Sequence, residues 1–245
     1  DPYNLLSYLQ REQYGSSPIL YGHYYTAQQS GKKEVGEKYY QDQNEDGDDE
    51  YFFKSTKYEP TYEGKMGFFP RMHSAQDKHK RAYRNIINPT FEVHDYNGNM
   101  LKKFKKIKSA KAYVQSNPGQ GLRIVDQFSF LDNLYFFFEY QIGWMYHRYF
   151  MWNFSGRQND MQGHSSNTEG NWITGFDWFD SNILGLVPES ALPENEQGNK
   201  GHNRFFLLPF ILGLIGVFYH FNNRKDDAFI VFLLWFFTGI AIVIF

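Results

Sequence analysis

Hydrophobic and polar positions fall along this chain in blocks. The longest mixed block, Phe128–Phe154, has an aromatic or aliphatic residue at most positions, no Pro and a single Gly, Gly143, which predicts one long α-helix. At about 1.5 Å per residue it would run roughly 40 Å. Ser155-Gly156 would stop it, because glycine after a helix accepts a left-handed backbone. A turn of about 100° per residue groups Asp132, Glu139, His147 and Asn153 in one broad sector and sends Gln141 and Arg148 to the opposite side, among aromatics. So many charges argue against a simple membrane span, since Asp or Arg at mid-bilayer costs about 2.5–3.5 kcal/mol. A helix lying at a membrane surface or packed on membrane helices fits the pattern, with a buried helix of a soluble domain as the alternative.

Upstream the pattern is polar and broken. Asp1-Pro2 before Tyr3–Tyr14 has the form of a helix start, and Gly15-Ser16-Ser17-Pro18 ends it. Ile19–Thr26 reads as extended and aromatic. Tyr51–Pro60, Gly67–Met72 and Thr90–Tyr96 read as short strands, with Asn97-Gly98 a hairpin turn because both residues tolerate positive φ. Downstream, residues 164–203 form a polar surface loop carrying one aromatic patch, Asn171–Asp180 (NWITGFDWFD), and long enough to suggest function. Phe205–Phe221 and Ala228–Phe245 are apolar runs of about membrane-spanning length joined by a charged link. They read as a helical hairpin through a bilayer. Arg224 and Lys225 in the link place it in the cytoplasm by the positive-inside rule and residues 1–203 on the outer side.

The predicted fold class is therefore a mainly α membrane protein fragment. Residues 1–27 form an outer-face helix and extended segment, and 28–123 a small, polar, partly β insertion. Residues 124–163 carry the long amphipathic helix and the motif after it, 164–203 the surface loop, and 205–245 a two-helix transmembrane hairpin. The chain starts without Met and ends inside an apolar run, so it reads as a piece of a longer polypeptide.

Composition agrees with uneven placement: 20% of residues are aromatic, with 25 Phe and 19 Tyr, yet the mean hydropathy is −0.60. A net charge of −2 argues against nucleic acid as a partner, because phosphate binding needs a concentrated basic surface. The basic run Lys102–Lys111 suits anionic lipid headgroups or a solvated face, and favours the latter. Without Cys there is neither disulfide nor thiolate metal site, which leaves the compartment open.

Candidate chemistry is thin. Asp42, Asn44, Asp46 and Gly47 have calcium-loop spacing, but the twelfth position is Phe53 where a bidentate Glu is needed, so a solvated acidic loop is expected. Asp177, Asp180, His164 and Glu169 have no recognised ligand spacing, and neither a metal nor a cofactor is expected. The densest polar cluster is Arg157-Gln158-Asn159-Asp160. An Arg can clamp a phosphate bidentately, and Gln, Asn and Asp can bond sugar hydroxyls, which suits a lipid-phosphate-linked substrate. A plain helix-capping loop is the equal alternative.

LSYLQREQYG (Leu6–Gly15), ILYGHYY (Ile19–Tyr25), FFPRM (Phe68–Met72), YQIGWMYHRYFMWNFSGRQNDMQG (Tyr140–Gly163) and the LLPFILGLIGVFYHF run resemble a multi-spanning membrane family common in Bacteroidetes, grouped with protein O-mannosyltransferase-like enzymes. The resemblance is tightest over Arg148–Gly163. His147, Ser155 and Ser16-Ser17 depart from the family pattern. The resemblance implies part of a polytopic glycosyltransferase of the bacterial inner membrane. Such an enzyme moves a sugar, mannose by the resemblance, from a polyprenyl-phosphate carrier to a protein Ser or Thr on the periplasmic face. Its partners would be the lipid bilayer, the polyprenyl-phosphate-linked sugar and the protein acceptor. The catalytic acid would lie upstream of Asp1. Arg148, Arg157, Gln158, Asn159 and Asp160 are the substrate-binding candidates, with Arg157 first and Arg148 second for stabilising the leaving phosphate. A non-catalytic membrane scaffold for envelope assembly or export, docking through the aromatic helix, is the second reading.

Overall fold

The computed structural model describes residues 18–41, 51–163, 166–194 and 196–240. The helix expected over Tyr3–Tyr14 and the calcium-like loop from Asp42 lie outside the described residues, as does His164. The chain divides into two compact units, Asp1–Phe136 and Phe137–Phe245.

The first unit is built on antiparallel strands. Strand β1 (Tyr21–His23) pairs with β4 (Met66–Phe68), and β2 (Gln28–Gln41) pairs with β3 (Tyr51–Glu63) in a long two-stranded ribbon. Three bulges interrupt the ribbon's register, between Gln29 and Gly31, Glu34 and Gly36, and Lys38 and Tyr39. Helix α1 (Asp77–Ile87) follows and ends at Asn88, whose left-handed backbone (φ 47°) lets its N–H bond the Arg84 carbonyl. A three-stranded sheet then forms in the order β6 (Met100–Phe104), β5 (Thr90–His94), β7 (Arg123–Gln127). The β5–β6 turn uses Gly98 at φ 85°, and the Asp95 carboxylate accepts the Asn99 N–H at 2.8 Å. Alternation along β5 sends Phe91 and Val93 inward, against Ala110 of helix α2 (Ile107–Gln115).

Beside that sheet lies an aromatic core. Tyr25 stacks on Phe128 with ring centroids 5.2 Å apart, and Tyr83 meets Phe136 edge-on at 5.1 Å. Phe136 closes helix α3 (Phe130–Phe136). Two buried polar groups are fully used. Asn133 accepts the Arg71 N–H at 2.8 Å and donates to the Phe69 carbonyl at 2.9 Å. Asp126 takes both Arg84 Nε (2.6 Å) and a terminal nitrogen (3.0 Å), plus the Tyr25 hydroxyl (3.0 Å). Paired and hydrogen-bonded in this way, a carboxylate with 2% of its side chain exposed is tolerated inside.

The second unit opens with a π-helix over Phe137–His147, continues as α4 (Arg148–Phe154), and adds β8 (Gly156–Arg157), α5 (Asp177–Asn182), β9 (Asn203–Arg204), α6 (Leu208–Asn223) and α7 (Lys225–Trp235), which passes into a second π turn. Strand β8 pairs with β9. Gly156 works through absence of bulk rather than a left-handed backbone: a Cβ there would stand 2.8 Å from the Asn203 carbonyl. The expected single α-helix over Phe128–Phe154 is thus α only in its flanks. Around Gly143 the i→i+5 pattern brings the Phe138 carbonyl to 3.2 Å from where a Cβ would stand, an approach that glycine admits.

Three further sequence-based expectations fail. The fold is not mainly α: it is a mixed α/β chain with four antiparallel sheets among the described residues. Nor do the apolar runs form the predicted transmembrane hairpin. Phe206 and Leu207 hold left-handed backbones (φ 53° and 58°), so α6 begins only at Leu208, and the backbone breaks again at Arg224 (φ −145°, ψ 69°). The 16 residues of α6 span about 24 Å against a bilayer core of about 30 Å, and α7 starts on charged Lys225, Asp226 and Asp227. Among the described residues no helix is long and apolar enough to cross a membrane. The multi-pass inner-membrane localisation, with residues 1–203 facing the periplasm, is overturned with the spans that implied it.

Candidate functional site

The second unit carries a cleft of about 280 Å³ lined by Glu139, Gly143 and Trp144 of the π-helix, Arg148 at the start of α4, Asn171 and Trp172, and Leu184 with Leu186. A π-helix of 11 residues is unusual, since such turns mostly occur singly and often at functional sites. Its wider turn changes which side chains share a face, and so Glu139, Gly143 and Trp144 come to line one wall.

The opposite wall is held by the polar motif after α4. Asn159, with no exposed surface, donates to the Thr168 carbonyl (2.7 Å) and accepts the Gly170 N–H (2.7 Å) and the Met161 N–H (3.3 Å). Gln158, also buried, donates to the carbonyls of Asn167 (3.0 Å) and Val187 (3.1 Å) and accepts the Asn171 amide (2.8 Å). Arg148 donates from Nε to the Trp144 carbonyl (3.0 Å) and from a terminal nitrogen to the Gly170 carbonyl (2.9 Å). Its guanidinium lies 4.1 Å from the Trp144 ring centroid, and burial lowers its pKa from the ordinary arginine value.

Arg148 and Asn159 therefore grip the two polar backbone groups of one residue, Gly170. That position needs glycine twice over: φ is 59°, and a Cβ would stand 2.3 Å from the Met161 carbonyl. Beyond Gly170 the backbone is clamped to the motif. The Gln158 N–H bonds the Asn171 carbonyl (2.9 Å), Trp172 bridges Arg157, and the Ile173 N–H bonds the Gly156 carbonyl (3.0 Å). His147 meets the Trp172 ring edge-on at 5.8 Å.

Of the five candidates taken from sequence, only Arg148 lines the cleft. Gln158 and Asn159 stand behind its wall. Arg157 donates from Nε to the Gly201 carbonyl (2.7 Å), and Asp160 is exposed. The structure brings Arg148, Gln158 and Asn159 together around the segment 166–171 and leaves Asp160 apart from the cleft. Glu139, Trp144, Asn171 and Trp172 are the cleft residues that motif reading missed. Two signals pointed toward them: Glu139 in the polar sector of the helix, and the aromatic patch that begins at Asn171.

Two carboxylates of the 164–203 loop are taken up by other partners. Asp180 is consumed by the Thr174 N–H (2.8 Å), the Thr174 hydroxyl (2.7 Å) and the Gly175 N–H (3.0 Å), and Asp177 pairs with Arg204 at 3.0 Å. Among the described residues no group of His, Asp and Glu is placed to hold a metal ion.

Chemically, the cleft offers flat indole surface, two leucines and a few polar groups. The Glu139 carboxylate makes no hydrogen bond or ion pair to any described residue, and the Asn171 amide nitrogen is committed to Gln158 and Ser166, which leaves its side-chain oxygen as an acceptor. The volume lies just below the roughly 300–1,000 Å³ of small-molecule sites, which matches one ring and not a chain of them.

A family model described only as a family of unknown function, DUF8416, matches residues 15–138, just over half of the chain. That span covers the described part of the first unit, and the cleft begins one residue beyond it. No curated protein and no solved structure matches the chain significantly.

Proposed function

The chain belongs to the DUF8416 family of unknown function, and from that premise we propose that its second unit recognises a single sugar ring in the cleft on the π-helix. One observation carries the reading: Trp144, Trp172 and the uncommitted carboxylate of Glu139 line the same ring-sized space. The C–H faces of a pyranose are apolar and flat enough to lie on an indole, while its hydroxyls are donors that need acceptors at the rim. Glu139 and the Asn171 oxygen supply those acceptors, and the leucines exclude water from the ring's other edge. In the sugar transfer to protein hydroxyls that the motif resemblance implies, this cleft would hold the sugar, and Arg148 would act by fixing Trp144 and Gly170, with no direct contact to phosphate. The membrane-spanning setting is not part of the proposal.

The test is a calorimetric or tryptophan-fluorescence titration with mannose, glucose, galactose and their N-acetylated forms. At least one should bind saturably. Trp172→Ala should weaken it about tenfold or more, since an aromatic stacking contact is worth up to about 1.5 kcal/mol beyond its area. Glu139→Gln, which keeps shape and removes charge, should weaken it less. Absence of saturable binding across the panel, or identical affinity in Trp172→Ala, overturns the proposal.

A further inference from the structure

In the first unit, strand β6 stands at one edge of the three-stranded sheet, and among the described residues no strand pairs with its outer side. Met100, Leu101, Lys102 and Lys103 are exposed along it, whereas β7 at the opposite edge is half-buried or buried beyond Arg123. An open edge presents backbone donors and acceptors to any extended chain that can lie beside it. Lysine is dense at this edge. Lys102 and Lys103 precede Phe104, Lys105 and Lys106 follow it, and no Asp or Glu occurs between Asp95 and Asp126. Alternation puts the charge on both faces of the strand. Lys102 Nζ lies 5.6 Å from the Phe104 ring centroid and 5.4 Å from that of Tyr113, on the α2 side, while Lys103 turns to the other face and meets Glu92 at 3.5 Å. Glu92 already accepts the Gln127 amide at 3.0 Å and faces His94 at 3.2 Å, so one shared carboxylate leaves the edge with a positive excess.

Lysines on an edge keep uncharged strands away, because pairing would press the ammonium groups against side chains that cannot answer them. The same lysines favour a strand that carries acids, since opposite charges directly across a strand pair attract. We propose that β6 takes an extended acidic peptide of a partner protein as a fourth strand of this sheet. Antiparallel pairing, the more stable arrangement per residue, runs that peptide from Lys106 toward Met100. Its N-terminal half then meets Lys102, Lys103, Lys105 and Lys106 and must be acidic on both faces. Its C-terminal half meets the exposed Met100 and Leu101 and must be apolar. A phosphate polymer or a lipid surface would answer the charge and leave the unpaired backbone groups of the edge unused, whereas a polypeptide strand answers both.

The test titrates the whole chain into the fluorescein-labelled peptide Glu-Asp-Glu-Asp-Val-Ile-Val and follows anisotropy. Binding should be saturable and should weaken several-fold when salt is raised, because the charges are exposed. Two further peptides carry N-methyl groups on alternate residues, one in each register. Successive N–H groups of a strand point to opposite sides, so one methylated peptide should lose binding and the other should keep it. Lys102→Glu with Lys105→Glu, which spares the Lys103–Glu92 pair, should weaken the parent peptide about tenfold or more while circular dichroism stays unchanged. Amide hydrogen exchange within β6 should slow when the peptide is added. Equal affinity of the two methylated peptides, indifference to the charge reversal, or unchanged exchange in β6 overturns the proposal. It is equally overturned if a DNA duplex or an anionic phospholipid vesicle binds where the peptide neither binds nor competes, or if light scattering shows that the charge reversal breaks a dimer of this chain. None of these outcomes depends on the sugar cleft of the second unit.

Discussion

Replacing Asn159 by Ala tests the claim that the polar motif works by holding a wall rather than by touching a ligand. The native side chain is fully buried and makes bonds of 2.7 Å to the Thr168 carbonyl, 2.7 Å from the Gly170 N–H and 3.3 Å from the Met161 N–H. Truncation leaves a buried donor at Gly170 and a carbonyl at Thr168 without this partner. Each such group costs about 1–3 kcal/mol. The loss should therefore be about 2–6 kcal/mol in the second unit. Gly170 cannot compensate by shifting, because its carbonyl is also tied to Arg148 and its α-carbon lies against the Met161 carbonyl. The assay is urea unfolding followed by tryptophan fluorescence, together with amide hydrogen exchange at Gly170. Asn159→Asp serves as partner variant: it retains the acceptor for Gly170 and loses the donor to Thr168, so it should protect the Gly170 amide while still destabilising. A loss below about 1 kcal/mol with unchanged exchange at Gly170 refutes the argument. Intact sugar binding in Asn159→Ala would refute the link from this clamp to the cleft.

In the first unit, Arg84→Ala leaves Asp126 buried with Tyr25 as its remaining side-chain partner; breaking such a pair costs about 3–5 kcal/mol, and chemical denaturation should show a loss in that range. Tyr25→Phe should cost less, about 1 kcal/mol, because it removes one hydrogen bond and leaves the ion pair. The pH dependence follows from His73, which burial and the neighbouring charges of Arg71, His23 and His79 hold down at about 4. The folded protein keeps this imidazole neutral, whereas the unfolded chain binds a proton near its ordinary value of 6.5. Its contribution to stability is thus complete above pH 6.5 and is lost as pH falls toward 4, by no more than about 3 kcal/mol. Thermal melts from pH 7 to 4 should show that loss, and His73→Leu should flatten this part of the profile. An equal slope in the variant would show that other groups produce it.

Part of the first unit was legible where its elements are local. The alternation in Thr90–His94 and the turn at Asn97-Gly98 define β5 and the hairpin to β6, since period-2 burial and positive φ are written into neighbouring residues. The pairing of β5 with β7 was not legible, because Thr90 meets Gln127 across a long separation that no local pattern records. Asn133 belongs to the same class: its partners Phe69 and Arg71 are more than sixty positions away.

In the second unit the sequence located the dense polar motif and the aromatic patch but not how they meet. A helical wheel assumes 100° per residue, and the π turns over Phe137–His147 depart from it, which is why Glu139 and Trp144 share a wall that no α-helical projection brings together. Hydropathy alone read two membrane spans because it counts apolar residues without seeing the backbone. Left-handed dihedrals at Phe206 and Leu207 and the break at Arg224 shorten the first run below a bilayer's thickness, and among the described residues no helix is long and apolar enough to cross a membrane. By itself, then, the sequence determined residue character, local turns and alternation, because these depend on neighbours a few bonds away. Only tertiary structure decided which polar side chains are wall supports and which face open space, because that depends on whether distant backbone groups such as those of Gly170 arrive to use them.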